Sequence, residues 1–213
     1  MMRGFNILIL KVYDMITFIK NNSKVLLIGN SVKEVNYVKT INEKDYDYII
    51  GFNHQQYKDI KKCDIIFHNL NIKAYTEDYL KKLKENNTKL ISRFSYDFFK
   101  NSGRESFFVE VNKKEYITLN FIDGEIFNKI YMEYGGNLTT GFIAAIYFLQ
   151  YMNCLTHIVG FDFYRKMYSG ESPLPTAPCH DITQEYKYFK KIVIPMYNDK
   201  IKFIGSIERY MYD

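Results

Sequence analysis

The stretch "KVLLIG", Lys24 to Gly29, is a short apolar run that ends in a glycine. Such a run is typical of a parallel strand that is covered on both faces, where polar and apolar residues need not alternate. Five later runs have the same character: "DYDYIIGFN" (45–53), "KKCDIIFHN" (61–69), "TKLISRF" (88–94), "LTHIVGFDFY" (155–164) and "KIKFIGS" (200–206). They predict the strands of one sheet.

Helical patterns separate these strands. The clearest are "TEDYLKKLKENN", with Thr76 as its N-cap, the apolar "TTGFIAAIYFLQYMN" (139–153), and a helix from about Asp181 to Lys191. Alternation of strand and helix predicts an α/β fold: a single Rossmann-like domain with a mostly parallel sheet flanked by helices. The region 95–134 is predicted to hold an aromatic helix and a hairpin at "VEVNKKEYITLNF".

The N-terminal segment is the one part set off from this pattern. In "FNILILKVYDMITFIKNNSK" the apolar residues recur at helical spacing, so residues 1–22 are expected to form an amphipathic helix packed on a domain of residues 23–213. An interfacial membrane helix is the alternative. No stretch has the roughly twenty apolar residues of a membrane span, and no cleavage site follows the segment.

Composition limits the class of protein. The chain has 213 residues and a net charge of +5, which suits contact with anionic membranes or nucleotides without selecting between them. No nucleic-acid-binding signature occurs, so no nucleic-acid partner is expected. The three cysteines, Cys63, Cys154 and Cys179, have no metal-type spacing and predict reduced thiols in the cytoplasm. A location at the inner face of the membrane stays open.

Short polar residues collect where the predicted strands end. The residues at these strand ends are the glycines Gly29 and Gly160, the polar residues Asn30, Ser31, Asn53, Asn69 and Asp162, and the aromatic Phe161. Ligands of open parallel sheets bind beyond the carboxyl ends of the strands, so these residues predict a ligand site. The helix that begins at Thr139, Thr140 and Gly141 adds free backbone N–H groups, and glycine permits a close approach to a ligand.

Known catalytic fingerprints are missing from this edge. "GNSVKE" has neither the spacing of a dinucleotide-binding turn nor the lysine of a P-loop. No zinc or nucleophile-elbow motif occurs, which favours a mechanism without a metal.

The order of three motifs resembles that of the sialyltransferases, both the eukaryotic-type enzymes and the small bacterial ones. "VLLIGNSVKE" with "DYDYIIGFNHQ" is similar to the large sialylmotif, and "NLTTGFIAAIYFLQYMNCLTHIVGFDFY" is similar to the small one. "HDITQE" matches the very small motif, H-x-x-x-x-E. The resemblance covers most of residues 24–189 and implies a sialyltransferase-type variant of the GT-A fold. The implied enzyme is inverting and cofactor-free, and it uses a CMP-activated keto-sugar acid.

The resemblance also implies roles for individual residues. Asn30 and Asn53 would hold the cytidine and phosphate, Asn69 would lie near the donor sugar, and Thr140 and Gly141 would bind the donor. Tyr164 and Tyr168 would hydrogen-bond the leaving phosphate. His180 would be the general base that deprotonates the acceptor hydroxyl, with Glu185 supporting the site.

Several alternatives remain open from the sequence. Asn137 stands where small bacterial members carry an arginine, which leaves a CMP-Kdo-dependent transferase as a second donor class. A pyrophosphokinase that handles a pterin and a non-catalytic nucleotide- or glycan-binding module are the others. His180 and Asp181 could also merely cap a surface helix. The expected acceptor is a glycan, with a lipid-linked glycan as one option.

Overall fold

The computed structural model describes residues 16, 18–29, 34–53, 62–69, 77–101, 119–135, 138–161 and 182–212. Within these ranges the strands are β1 (Lys24–Ile28), β2 (Tyr48–Phe52), β3 (Ile65–His68), β4 (Lys89–Ser92), β5 (Leu119–Phe121), β6 (Leu155–Val159) and β7 (Ile201–Phe203). The helices are α1 (Val35–Thr40), α2 (Glu77–Glu85), α3 (Tyr96–Asn101), α4 (Gly124–Tyr134), α5 (Thr140–Ile146), α6 (Ile182–Tyr188) and α7 (Glu208–Tyr212).

The strands form one parallel sheet in the order β5-β4-β3-β2-β1-β6-β7. The chain builds outward from β1 to β5 and then returns to place β6 on the other side of β1. The predicted class, an α/β domain with a parallel sheet flanked by helices, is confirmed. The order of the strands reverses between β1 and β6, and such switch points are where open parallel sheets bind ligands.

The predicted hairpin at residues 109–121 ends in β5. Strand β5 pairs in parallel with β4, with Leu119 opposite Leu90. The residues before Leu119 in that stretch lie outside the described ranges, so the hairpin stays a prediction.

Two helices extend through π-helical turns. Helix α5 runs on through Tyr147–Tyr151, close to its predicted end. Helix α6 runs on through Phe189–Val193 and a last turn, Ile194–Met196, beyond the predicted end at Lys191. Pro195 lies one residue before the end of this extended helix at Met196.

Aromatic side chains join the sheet to α5 and α6. The ring of Phe67 in β3 lies 6.0 Å from that of Tyr147 and 5.9 Å from that of Phe148. Phe189 bridges the two helices and β7, with ring centroids 5.0 Å from Phe142 and 5.4 Å from Phe203. Full burial of such a side chain stabilises the fold by roughly 1.5–3 kcal/mol. This packing holds the start of α5 against the carboxyl edge of the sheet.

The outer edge of β7 is closed by a side chain. The hydroxyl of Tyr212 accepts a hydrogen bond from the Phe203 amide at 3.0 Å and donates one to the Ile201 carbonyl at 3.3 Å. An open strand edge invites pairing with another chain, so α7 protects this one.

Most of the predicted N-terminal helix lies outside the described residues. Its last part forms turns, with Ile16 and Ile19 buried in the core and the Tyr48 hydroxyl donating to the Phe18 carbonyl at 2.7 Å. Cys63 and Cys154 are buried, and burial raises the pKa of Cys154 to about 11. In the described part of the chain, every helix is too short or too polar to cross a membrane.

Candidate functional site

The ends of β1 and β6 meet at the switch point through two glycines. The Gly29 amide donates to the Val159 carbonyl at 2.8 Å, and Gly160 has a φ of +72°. A Cβ on Gly160 would lie 2.8 Å from the Gly29 oxygen, and one on Gly29 would lie 2.7 Å from the Gly160 carbonyl carbon. Such contacts leave no room for a side chain, so this crevice is lined by backbone.

The ring of Phe161 fills the space beside these glycines. A Cβ on Gly141 would lie 2.7 Å from Phe161 Cε1, and one on Gly29 would lie 2.8 Å from Phe161 Cδ2. The ring also makes a T-shaped contact with Phe52 at 5.5 Å. The sequence suggested that Gly141 leaves space for a ligand to approach the backbone. In the structure, the ring of Phe161 occupies that space.

Glu185 and Thr139 join two of the predicted motifs. The Glu185 side chain is only 3% exposed, and its carboxylate accepts hydrogen bonds from the Thr139 amide and, at 2.8 Å, from the Thr139 hydroxyl. Thr139 is the N-cap of α5, and its hydroxyl oxygen accepts from the Phe142 amide at 3.2 Å. The two segments, 46 residues apart in the chain, thus meet at the start of α5.

This contact changes the electrostatics expected at α5. The start of a helix favours negative charge, and here a carboxylate of the chain already lies against it. An anionic ligand at the same point would be repelled by Glu185.

Asn53 and Asn69 form a second polar group at the ends of β2 and β3. Asn53 has a φ of +51°, a left-handed conformation that asparagine tolerates better than most residues. Its side-chain oxygen accepts from the Asn69 amide at 3.0 Å, and its backbone carbonyl accepts from the Tyr79 hydroxyl at 3.2 Å. Burial raises the pKa of Tyr79 to about 12, so this hydroxyl stays a donor at neutral pH. The structure thus brings two predicted donor-binding residues into direct contact.

Arg93 adds a cation at the end of β4. Its amide donates to the carbonyl of His68 at 2.9 Å, and its guanidinium lies over the Phe94 ring at 4.6 Å. Arg93 is 7% exposed, and the His68 side chain is fully buried. His68 is the last residue of β3.

The predicted site residues fall into two sets. Those that the structure describes lie along the carboxyl edge of the sheet: Gly29, Asn53, Asn69, Thr139, Thr140, Gly141, Gly160, Phe161 and Glu185. The others lie outside the described residues: Asn30, Ser31, Asp162, Tyr164, Tyr168 and His180. Their assigned roles remain predictions.

Sequence reasoning missed several residues at this edge. Phe52, Tyr79 and Arg93 were absent from the predicted site, as was the buried Glu34. Tyr79 and Phe52 look like ordinary core aromatics in the sequence, and only the tertiary contacts show that Tyr79 lies beside Asn53 and Phe52 beside Phe161.

His157 lies apart from this edge, in the middle of β6. Its Nδ1 is 2.9 Å from the hydroxyl of Tyr46, which precedes β2. Burial, with Lys24 and Lys202 nearby, lowers the pKa of His157 to about 4. The imidazole is therefore neutral near pH 7, in keeping with a structural role.

No group of three or more His, Cys, Asp or Glu side chains suited to a metal ion occurs in the ranges that the structure covers. Comparison of the sequence with models of known protein families and with curated proteins found no match.

Proposed function

We propose that this protein is an inverting, metal-independent glycosyltransferase that moves sialic acid from CMP-sialic acid to a glycan hydroxyl. The observation that carries the proposal is the contact between Thr139 and the buried carboxylate of Glu185. It brings the start of "TTGFIAAIYF" together with Glu185, the last residue of "HDITQE", near the switch point of the sheet. Two segments that resemble sialylmotifs thus meet where a nucleotide-sugar would bind.

Chain connectivity supports His180 as the general base. His180 precedes Ile182, the first residue of α6, by two positions. Helix α6 is anchored through Glu185 to the start of α5, at the carboxyl edge of the sheet. The proposed base therefore closely precedes, in the chain, a helix that contacts this edge.

The chemistry of this transfer needs little beyond a base and hydrogen-bond donors. The bond between the donor sugar's anomeric carbon and the phosphate oxygen breaks, and CMP leaves with the electron pair. Tyr164 and Tyr168 would donate hydrogen bonds to that phosphate. A neutral His180 would take the proton of the acceptor hydroxyl as the new carbon–oxygen bond forms on the opposite face. The transition state is expected to resemble an oxocarbenium ion, with positive charge on the donor sugar.

A CMP-Kdo-dependent transferase on the same scaffold is the second candidate. Asn137 favours it, because the arginine that small bacterial sialyltransferases carry at this point is missing. The acceptor in either case is a glycan. The net charge of +5 would suit a lipid-linked acceptor at an anionic membrane.

The test measures CMP release from CMP-sialic acid and from CMP-Kdo, with EDTA and a mixture of glycan acceptors present. Wild type is compared with His180→Ala. Release from one donor that is lost in the variant would identify the donor class and support the base. CMP binding without turnover in either protein would favour a binding module. Failure to bind or cleave either donor would contradict the proposal, and magnesium-dependent use of a nucleoside triphosphate would favour the pterin pyrophosphokinase.

A further inference from the structure

Three neighbouring strands, β2, β3 and β4, end in a row of polar residues at the carboxyl edge. The residues directly after these strands are Asn53, Asn69 and Arg93. The Asn69 amide donates to Asn53 Oδ1 at 3.0 Å. The Arg93 amide donates at 2.9 Å to the carbonyl of His68, the residue before Asn69. Asn53, Asn69 and Arg93 therefore lie side by side at consecutive strand ends.

Ring contacts keep the charged group of Arg93 at this edge. The guanidinium lies over the ring of Phe94, the next residue of the chain, at 4.6 Å. The Phe94 ring is stacked on that of Phe98 in α3, with centroids 4.8 Å apart, and contacts that of Phe127 in α4 at 6.2 Å. Both helices follow the carboxyl ends of their strands. The cation is therefore held beyond the end of β4 and not back along the strand.

The chemistry of arginine suits a carboxylate ligand. A guanidinium stays charged over the whole physiological pH range, and its planar fork of N–H donors matches the two oxygens of a carboxylate. Arg93 is 7% exposed, so its surroundings hold less water than those of a surface arginine. Attraction between opposite charges is stronger where water is largely excluded. A carboxylate that meets the exposed part of Arg93 would therefore be held more firmly than by a surface cation.

The donor class of the proposed function carries such a group. Sialic acid and Kdo are both keto-sugar acids, with a carboxylate on the carbon that is joined to CMP. Asn69, beside Arg93, is the residue that the resemblance places near the donor sugar. Asn137 stands where small bacterial sialyltransferases carry an arginine, so that position offers no cation for the carboxylate.

We propose that Arg93 binds the carboxylate of the donor sugar and thereby selects keto-sugar acids over neutral sugars. The inference rests on the proposed function for the nucleotide part of the donor. Other residues of the edge would hold that part, so the two halves of the donor can be tested separately.

The experiment measures, by calorimetry without acceptor, the affinity of wild type, Arg93→Met and Arg93→Lys for CMP, CMP-sialic acid and CMP-Kdo. We expect Arg93→Met to bind the preferred donor at least about tenfold more weakly, as for the loss of one charge-assisted hydrogen bond. CMP affinity should stay within about twofold of wild type, because separate contacts contribute independently. Arg93→Lys keeps the charge without the fork and should show an intermediate loss.

Arg209→Met is the matched control. The Arg209 guanidinium also lies 4.6 Å over an aromatic ring, that of Tyr210, but on the exposed surface of α7. Its replacement removes the same charge and should leave the affinity for all these ligands unchanged. Equal weakening of donor binding in Arg209→Met and Arg93→Met would overturn the inference. Wild-type donor affinity in Arg93→Met, or equal weakening of CMP and donor in that variant, would also overturn it.

Free sugar acids test the carboxylate without the nucleotide. In saturation-transfer NMR, with and without CMP, wild type should bind sialic acid or Kdo but not the matching methyl ester, and Arg93→Met should bind neither. Equal binding of acid and ester would contradict the inference alone if CMP binds. Binding of a sugar acid that depends on Arg93, in a protein that binds no CMP, would contradict the proposed function alone. Failure to bind either CMP or a sugar acid would contradict both.

Discussion

The two edges of the sheet use polar side chains for different purposes. At the amino edge, the contacts join neighbouring strands: Asp47 accepts from the Lys24 amide at 2.7 Å, and Asp64 accepts from the Ile49 amide at 2.8 Å. At the carboxyl edge, Glu34 and Glu185 are buried and hold helix starts and loops together. The amino edge therefore aligns the strands, whereas the carboxyl edge also shapes the surface that a ligand would meet.

Because the two edges differ in this way, mutations at them are expected to have different effects. Changes at the amino edge should lower stability and leave binding intact, because they act on strand alignment. Changes at the carboxyl edge should affect both, because the same hydrogen bonds that hold the fold also hold the loops.

The largest effect is expected at the crevice between β1 and β6. Gly160→Ala combines a φ of +72° with a Cβ 2.8 Å from the Gly29 oxygen, so backbone must move. We expect a loss of more than about 3 kcal/mol in the free energy of unfolding, measured in urea.

Gly135→Ala is the matched control for this change. Gly135 has a φ of +92°, but no atom of the described residues lies within 4 Å of its Cβ position, so conformational strain alone should cost about 1–2 kcal/mol. If both variants lose the same free energy of unfolding, the close approach of β1 and β6 does not contribute to the effect of Gly160→Ala.

The next effect is expected at the contact between Thr139 and Glu185. Glu185→Gln should lower the free energy of unfolding by about 1–3 kcal/mol, because the amide group cannot accept from both Thr139 donors. Donor turnover should fall at least about tenfold in the same variant, since α5 and the segment after His180 lose their connection. Thr139→Ser, which keeps the hydroxyl, should stay close to wild type in both measurements. If Glu185→Gln is destabilised but keeps full turnover, the contact between Glu185 and Thr139 stabilises the fold and is not needed for activity.

The smallest effect at neutral pH is expected at His157. Its folded-state pKa of about 4 lies below the ordinary 6.5, so the unfolded chain binds the proton more readily. Stability should therefore fall as the pH is lowered from about 7 to about 4, the range between the two pKa values. His157→Gln should show a shallower fall in the urea midpoint across this range. Identical slopes would show that the imidazole is less buried than the contacts with Tyr46 indicate.

The fold could be predicted from short apolar runs because both faces of a parallel sheet are buried. Strand β5 could not, because three residues at the edge of a sheet carry too little pattern to show which neighbour they pair with. The end of α6 was also missed. Its apolar residues continue to Met196 through a π-helical turn, which shifts the helical period on which the sequence argument depends.

For the candidate site, the residue types in the sequence predicted only some of the residues that meet at the carboxyl edge. Glycines, asparagines and threonines at strand ends marked the carboxyl edge because parallel strands all end there. The sequence alone thus determined the α/β class, and it predicted that a ligand site lies at this edge. Only the tertiary structure decided that Phe161 occupies the space beside Gly141, that Glu185 binds Thr139 and that Glu34 binds Ser206. These contacts join residues from 20 to 172 positions apart, and a buried carboxylate shows its partner only once the chain has folded.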